Sequence, residues 1–234
     1  AATSAREIAL GHLQLGDLKT AEEKIVQCVE LARACVQTAP TNADCAMELF
    51  TAIGLQAEIF DTIASGEDAI AAIKEAHEIY GGLAAADQKR PANLLVKLRS
   101  DARYANLLFR NSQLTDADDV AAKLVEDATA LLARDDDARE ALELLAGAHE
   151  LRLATLQPLG KLPEARKEIQ LAIETLERLC NEYPHIPHYE SKRAHALSGL
   201  AISYAKARQN DQAQLQFEAS TEAAKDLAAA FPDS

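Results

Sequence analysis

The chain has 234 residues and a formal net charge of -13, so a nucleic-acid phosphate backbone is repelled rather than attracted. Apolar residues make up 48%, enough for a sizeable core and too many for a disordered chain, while 9 Gly, 7 Pro and 4% aromatics exclude sandwiches, barrels and doubly wound sheets. No apolar run approaches the roughly 18 residues of a membrane span and no basic-then-apolar leader opens the chain, so a water-soluble, all-α protein is expected.

A period of 48 residues organises the chain. Ala21, Ala69, Ala117, Ala165 and Ala213 stand at that spacing, each after a short polar or Gly-containing break. Four residues beyond these anchors come Ile25, Ile73, Ala121, Ile169 and Phe217; seven beyond come Cys28, Ala76, Leu124, Ala172 and Ser220; fourteen beyond come Cys35, Leu83, Leu131, Leu179 and Leu227. Such spacings trace one face of a helix. Upstream of the anchors runs another amphipathic stretch, carried by Leu49, Phe50, Ile53, Ala57 and Phe60 in the second unit and by Leu197, Leu200, Ala201 and Tyr204 in the fifth.

Each unit therefore reads as helix, short turn, helix, and the expected repeats are 1–40 (partial), 41–88, 89–136, 137–184 and 185–232, about ten helices in one solenoid. Pro40, Pro184 and Pro232 close the first, fourth and fifth units, where a helix must stop. Thr115 with Asp116, and Asp211, stand where caps of second helices are needed, Pro163 suits a first helical turn, and Pro158 should end or kink the helix before it. Cys28 and Cys35 lie about 10 Å apart on one helix and cannot pair. Cys35 and Cys45 flank the turn at Pro40 and can meet, yet buried helical thiols are common, so four free cysteines in a reducing, cytoplasmic setting are expected. The opening AATSA, with Met47 the single methionine, reads as a processed product or an excised piece.

A helix pair with a small residue opening its second helix, a large apolar residue four positions later and a closing proline resembles the tetratricopeptide repeat. The match is carried by Ala165, Ile169 and Pro184, by Ala213, Phe217 and Pro232, by Leu200 and Tyr204 on the first helix, and by the turn glycines Gly16 and Gly160. The chain departs from that pattern in having no Trp, in placing Ala9, Ala57, Ala105 and Ala201 where the first helix carries Gly, and in a degenerate third repeat. Its units also exceed the common form of about 34 residues by close to two heptads, which preserves the packing face. The last two units are similar to the long repeats of planctomycete-type bacterial proteins, in which such arrays follow serine/threonine kinase domains. The resemblance implies an α-α superhelix acting as a scaffold, and a catalytic domain elsewhere in a parent chain.

No catalytic or metal constellation emerges from the residues. His77-Glu78 and His149-Glu150 lack the second His of a zinc-protease motif and read as polar residues of helix surfaces. His185 and His188 read as a turn, and the Asp135, Asp136 and Asp137 run as helix-capping acids. Neither a metal nor another cofactor is expected.

Recognition is expected on the first helices, which line the inner groove of such arrays. In the third repeat Arg99, Arg103, Asn106 and Arg110 recur at intervals of four, three and four, a stripe of guanidinium groups and an amide able to grip a carboxylate. The resemblance implies that such basic and Asn residues clamp acidic peptide ends; the full clamp needs matching residues on neighbouring repeats, where the second offers Glu58 and Asp61 instead, and the alternative is a solvated face on which Arg103 pairs with a neighbouring acid. His195 and Lys206 occupy one face in the fifth repeat and extend the candidate site, with Leu10, Leu13, Phe109 and Ile202 as apolar anchors. The leading reading is a noncatalytic module binding a peptide or protein segment with acidic character, in a larger regulatory or signalling protein. The alternatives are a spacer or stalk, monomeric or weakly self-associating through exposed array ends, and an enzyme with a pocket inside the superhelix.

Overall fold

The computed structural model describes residues 2–63, 65–134 and 138–231. Among them every regular element is a helix, eleven in all, in two compact units. The first unit, Ala1–Gln113, holds α1 (Ala2–Gln14), α2 (Leu18–Thr38), α3 (Ala43–Thr62), α4 (Gly66–Gly81), the four-residue α5 (Ala85–Gln88) and α6 (Pro91–Arg110). The second, Leu114–Ser234, holds α7 (Leu114–Leu132), α8 (Ala138–Leu156), α9 (Leu162–Glu182), α10 (Pro187–Lys206) and α11 (Asn210–Ala230). Within each unit successive long helices pack on one another: α1 on α2, α2 on α3, α3 on α4 and α4 on α6 in the first, and α7 through α11 in order in the second. Among the described residues no helix is long and apolar enough to cross a membrane.

The periodic columns are the packing faces. Ala21, Ala69, Ala117, Ala165 and Ala213 are all buried, as are Ile25, Ile73, Ala121 and Ile169. Ala9, Ala57, Ala105 and Ala201 are fully buried, so a methyl group fits where the first helix meets its neighbours. A fully buried Ile or Leu contributes about 2 kcal/mol, and repetition of these columns supplies the core of each unit. Phe217 breaks its column, being 44% exposed: α11 is the last helix of its unit, and no described helix follows to cover the face that α9 buries under α10.

Among the described residues, four turns in one register share a conformation. Gly16, Ser112, Gly160 and Arg208 occupy one register of the 48-residue period, and all have positive φ, at 76°, 60°, 75° and 59°. Glycine meets this left-handed requirement without a Cβ penalty, whereas Ser112 and Arg208 carry the strain of an L side chain there. Pro163 lies in the first turn of α9, and α8 ends at Leu156, ahead of Pro158. α2 and α9 stop at Thr38 and Glu182, ahead of Pro40 and Pro184.

Several expectations are corrected. Thr115, Asp116 and Asp211 lie inside the first turns of α7 and α11 rather than before them, where the acids still face the positive helix end. α4 has 16 residues against 21 in α2, because the Gly81-Gly82 pair favours termination; Leu83 falls outside the helix and the chain makes the extra α5. Tyr80 Oη donates to the Gln88 carbonyl at 2.6 Å, and Gln88 Nε2 donates back to the Leu83 carbonyl at 2.9 Å, closing that turn.

The expectation of four free thiols fails for one pair. α2 ends ahead of Pro40, and the Asn42 side chain caps α3 by accepting from the Asp44 and Cys45 amides at 2.9 and 3.4 Å. The last turn of α2 and the first of α3 are thereby brought together, with the Cα atoms of Cys35 and Cys45 at 5.6 Å, and the two form a disulfide. Cys28 and Cys180 are free and buried. The Asp135 to Asp137 run, and Pro232 with the residues after it, lie outside the described residues.

Candidate binding groove

In the first unit α1, α3 and α6, which hold the first-helix register of the 48-residue period, together line a cleft of about 340 Å³, at the small end of ligand-pocket volumes. Leu10 from α1, Phe50 and Leu55 from α3 and Val96 from α6 give it apolar walls, and Arg6, Arg99 and Arg103 give it three guanidinium groups against the single carboxylate of Glu58. The lining is therefore net cationic, three positive charges to one negative, on a chain of formal charge -13.

The four residues of the predicted stripe are all exposed on α6, and the structure divides them. Arg99 and Arg103 line the cleft. Arg103 pairs with Glu58 at 2.7 Å and donates to the Gly54 carbonyl at 3.2 Å, while Arg110, in the last turn of α6, pairs with Asp61 at 2.5 Å. Asn106 stands between them. Arg6 reaches the cleft from α1 and donates to Glu48 Oε2 at 3.1 Å. Arg6, Phe50, Gly54 and Val96 were not among the sequence-derived candidates. The register held a signal for part of the lining, since Thr51 and Leu55, each 48 residues before Arg99 and Arg103, line the same cleft.

His195 and Lys206 are in register with Arg99 and Arg110 but belong to the second unit. His195 lines a cavity of about 470 Å³ between α8 and α10, floored by Ile169 and Ala172 of α9 and bridged by Lys192 and Glu150 at 3.1 Å. Lys206, at the C-terminal end of α10, is exposed and is not among the residues lining that cavity. Of the four apolar anchors, Leu10 alone is placed in the first-unit cleft, and Ile202 is exposed on α10.

Two histidines read as surface residues are components of polar clusters. His149 is 5% exposed, and its Nδ1 lies 2.6 Å from Oε2 of Glu168, itself 5% exposed. Arg152 joins Glu168 at 2.5 Å to Asp118 at 3.2 Å, so α7, α8 and α9 are tied through one network, which Lys161 completes at 3.6 Å from Asp118. Burial alone would raise the Glu168 carboxyl, but the hydrogen bond to His149 and the charge of Arg152 together hold it below the usual glutamate value. In the first unit His77 Nε2 lies 3.1 Å from buried Asp101 and 3.3 Å from Ser100 Oγ, with Lys97 also paired to Asp101. Serine and aspartate meet the same ring nitrogen here, whereas a nucleophilic triad requires them on opposite nitrogens. The thiols are poor nucleophiles as well. Burial, then the Glu190 carboxylate, pushes Cys180 up to about 11, and burial followed by Glu48 raises Cys28. Among the described residues no group of three or more His, Cys, Asp or Glu is arranged to hold a metal ion.

Several solved structures share this fold. A Podosopora anserina putative kinesin light chain with nearly identical TPR-like repeats aligns over 99% of this chain and 96% of its own at a TM-score of 0.62 and 20% identity. The apo form of RapI aligns over 95% of this chain and 53% of its own at 0.70 and 12% identity. YrrB, described as a TPR protein with an unusual peptide-binding site, aligns over 100% and 93% at 0.55 and 13% identity. No family model matches the chain and no curated protein matches it. The likeness establishes an all-α, tetratricopeptide-like solenoid fold.

Proposed function

We propose that the chain is a noncatalytic interaction module that holds a peptide or protein segment rich in acidic side chains in the cleft of α1, α3 and α6. The observation that carries this reading is the gathering of Arg6, Arg99 and Arg103 around one apolar-walled cleft on an otherwise acidic chain. Arginine forks hold carboxylates through paired hydrogen bonds, and apolar walls take up the side chains between them. The Arg103–Glu58 and Arg110–Asp61 pairs are exposed, where an ion pair contributes about 0–1 kcal/mol, so an incoming carboxylate exchanges with Glu58 or Asp61 at little cost. Asn106 and Arg110 carry the polar surface beyond the cleft, and His195 and Lys206 offer a subsidiary contact surface on the second unit.

The reading takes residues 1–234 as one array of repeats cut after 40, 88, 136 and 184, supported by the left-handed turn recurring in register at 16, 112, 160 and 208. It places the array in a larger regulatory or signalling protein, of the bacterial, kinase-bearing kind its last repeats resemble. Raised thiols and the shared nitrogen of His77 support a role without catalysis. The Cys35–Cys45 disulfide withdraws the support that free cysteines would lend to a cytoplasmic setting, since such bonds persist in oxidising surroundings. The stalk alternative draws on Ile8 and Phe217, exposed on the first and last helices, and concentration-dependent mass in ultracentrifugation would favour it.

Fluorescence anisotropy with a labelled Glu- and Leu-rich peptide tests the proposal. Binding that weakens with salt, falls at least about tenfold in Arg99→Glu/Arg103→Glu and is absent for the Lys-rich counterpart is expected. Equal binding by wild type and the double variant, with equal helicity, contradicts it.

A further inference from the structure

Gly54 sits in the middle of α3, is buried from solvent as a residue, and lines the arginine cleft. The chain's own packing does not require a glycine there. A Cβ at position 54 would meet nothing within 4 Å, whereas at Gly199 of α10 it would meet Ile169 Cδ1 at 2.9 Å. Nor does the backbone require it, for the positive-φ glycines are Gly16 and Gly160. The residues in register, Arg6, Ala102, Glu150 and Ser198, all carry side chains. Glycine is among the poorest residues for a helix interior, so its presence here disfavours α3 without relieving any contact inside the protein. What the missing side chain leaves is open space over the backbone at the floor of the cleft. Arg103 already uses that bare backbone, donating to the Gly54 carbonyl at 3.2 Å.

We propose that Gly54 is a specificity-determining residue that keeps the floor of the cleft open for one large apolar side chain of the bound segment, seated among Leu10, Phe50, Leu55 and Val96 while flanking carboxylates meet Arg99 and Arg103. The inference rests on the acidic-segment reading and adds the residue that must stand between the acids. Charge complementarity supplies the first element of that ligand and the apolar walls supply the second.

The test uses the full chain and two labelled peptides, one with Phe between pairs of Glu and its sibling with Ala in place of Phe. Wild type is expected to prefer the Phe peptide by at least about tenfold, the scale of burying one aromatic side chain. Gly54→Leu removes that preference and Gly54→Ala weakens it several-fold, while Gly54→Ala melts at or above the wild-type temperature because its Cβ enters open space and improves helix propensity. Lower affinity with equal or higher stability separates an occluded floor from a damaged fold. Failure of wild type to bind either peptide overturns the acidic-segment reading and this inference with it. Binding of both peptides without preference, or an unaltered preference in Gly54→Leu, overturns the role of Gly54 alone.

Discussion

In the first unit the ion pairs that span neighbouring first helices, Arg103–Glu58 and Arg110–Asp61, lie at the surface, with side chains 29–58% exposed. In the second, the pairs that join α7, α8 and α9 centre on His149 and Glu168, whose side chains are 6% and 7% exposed. The same residue chemistry therefore has two consequences. An exposed pair is cheap to exchange, which leaves its arginine available to a ligand, whereas the buried cluster holds helices in place because Glu168 without its partners would be left charged and dry.

The sharpest way to break this comparison is to remove one carboxylate from each side. Glu168→Ala takes the carboxylate from His149 and leaves Arg152 with Asp118 alone, and is expected to cost about 3 kcal/mol, against less than about 1 kcal/mol for Glu58→Ala, measured by chemical unfolding. The pH dependence follows from the same group. Because Glu168 is held below its usual value when folded, the unfolded chain binds the extra proton first; its contribution is complete above the ordinary glutamate range and is lost as pH falls through the depressed value. Stability should therefore decline below about pH 4.3, and less steeply in Glu168→Gln than in wild type.

The next effect in size concerns the Cys35–Cys45 link, which closes a loop over a sequence separation of 10. Chain entropy sets its contribution at about 2–3 kcal/mol, so the Cys35→Ser/Cys45→Ser double variant should melt lower, and reductant should lower wild type but not the variant. Smallest is the turn register. Arg208→Gly relieves a left-handed side chain and should gain about 0.5–1 kcal/mol, and Gly160→Ala should lose a similar amount or more. A loss in Arg208→Gly, or a gain in Gly160→Ala, would show that the two turns are not equivalent in the way their φ angles indicate.

Much of the fold was legible because the solenoid writes its packing faces into the sequence at a fixed spacing. The buried alanine anchors and the Pro-marked helix ends follow from periodicity and propensity alone. The α4–α5 break was less visible: Gly81-Gly82 marked it, but the column through Leu83 masked the signal. Burial of His149 was hidden because its partner Glu168 lies on another helix, and a His-Glu dipeptide says nothing of what packs above it. The disulfide depended on a turn geometry that Asn42 sets locally. The candidate site was legible on α6, where the arginines recur at helical spacing, and not on α1 or α3, where Arg6 and Gly54 acquire meaning only when the helices face one another.

The most direct test is an NMR titration of the full chain with the Glu-flanked Phe peptide, following arginine side-chain Nε–Hε signals. The account predicts that Arg99 and Arg103 shift in a saturable way while Arg152, locked between Glu168 and Asp118, stays in place. Shifts confined to the second unit, or none at saturating peptide, would contradict a recognition cleft on α1, α3 and α6.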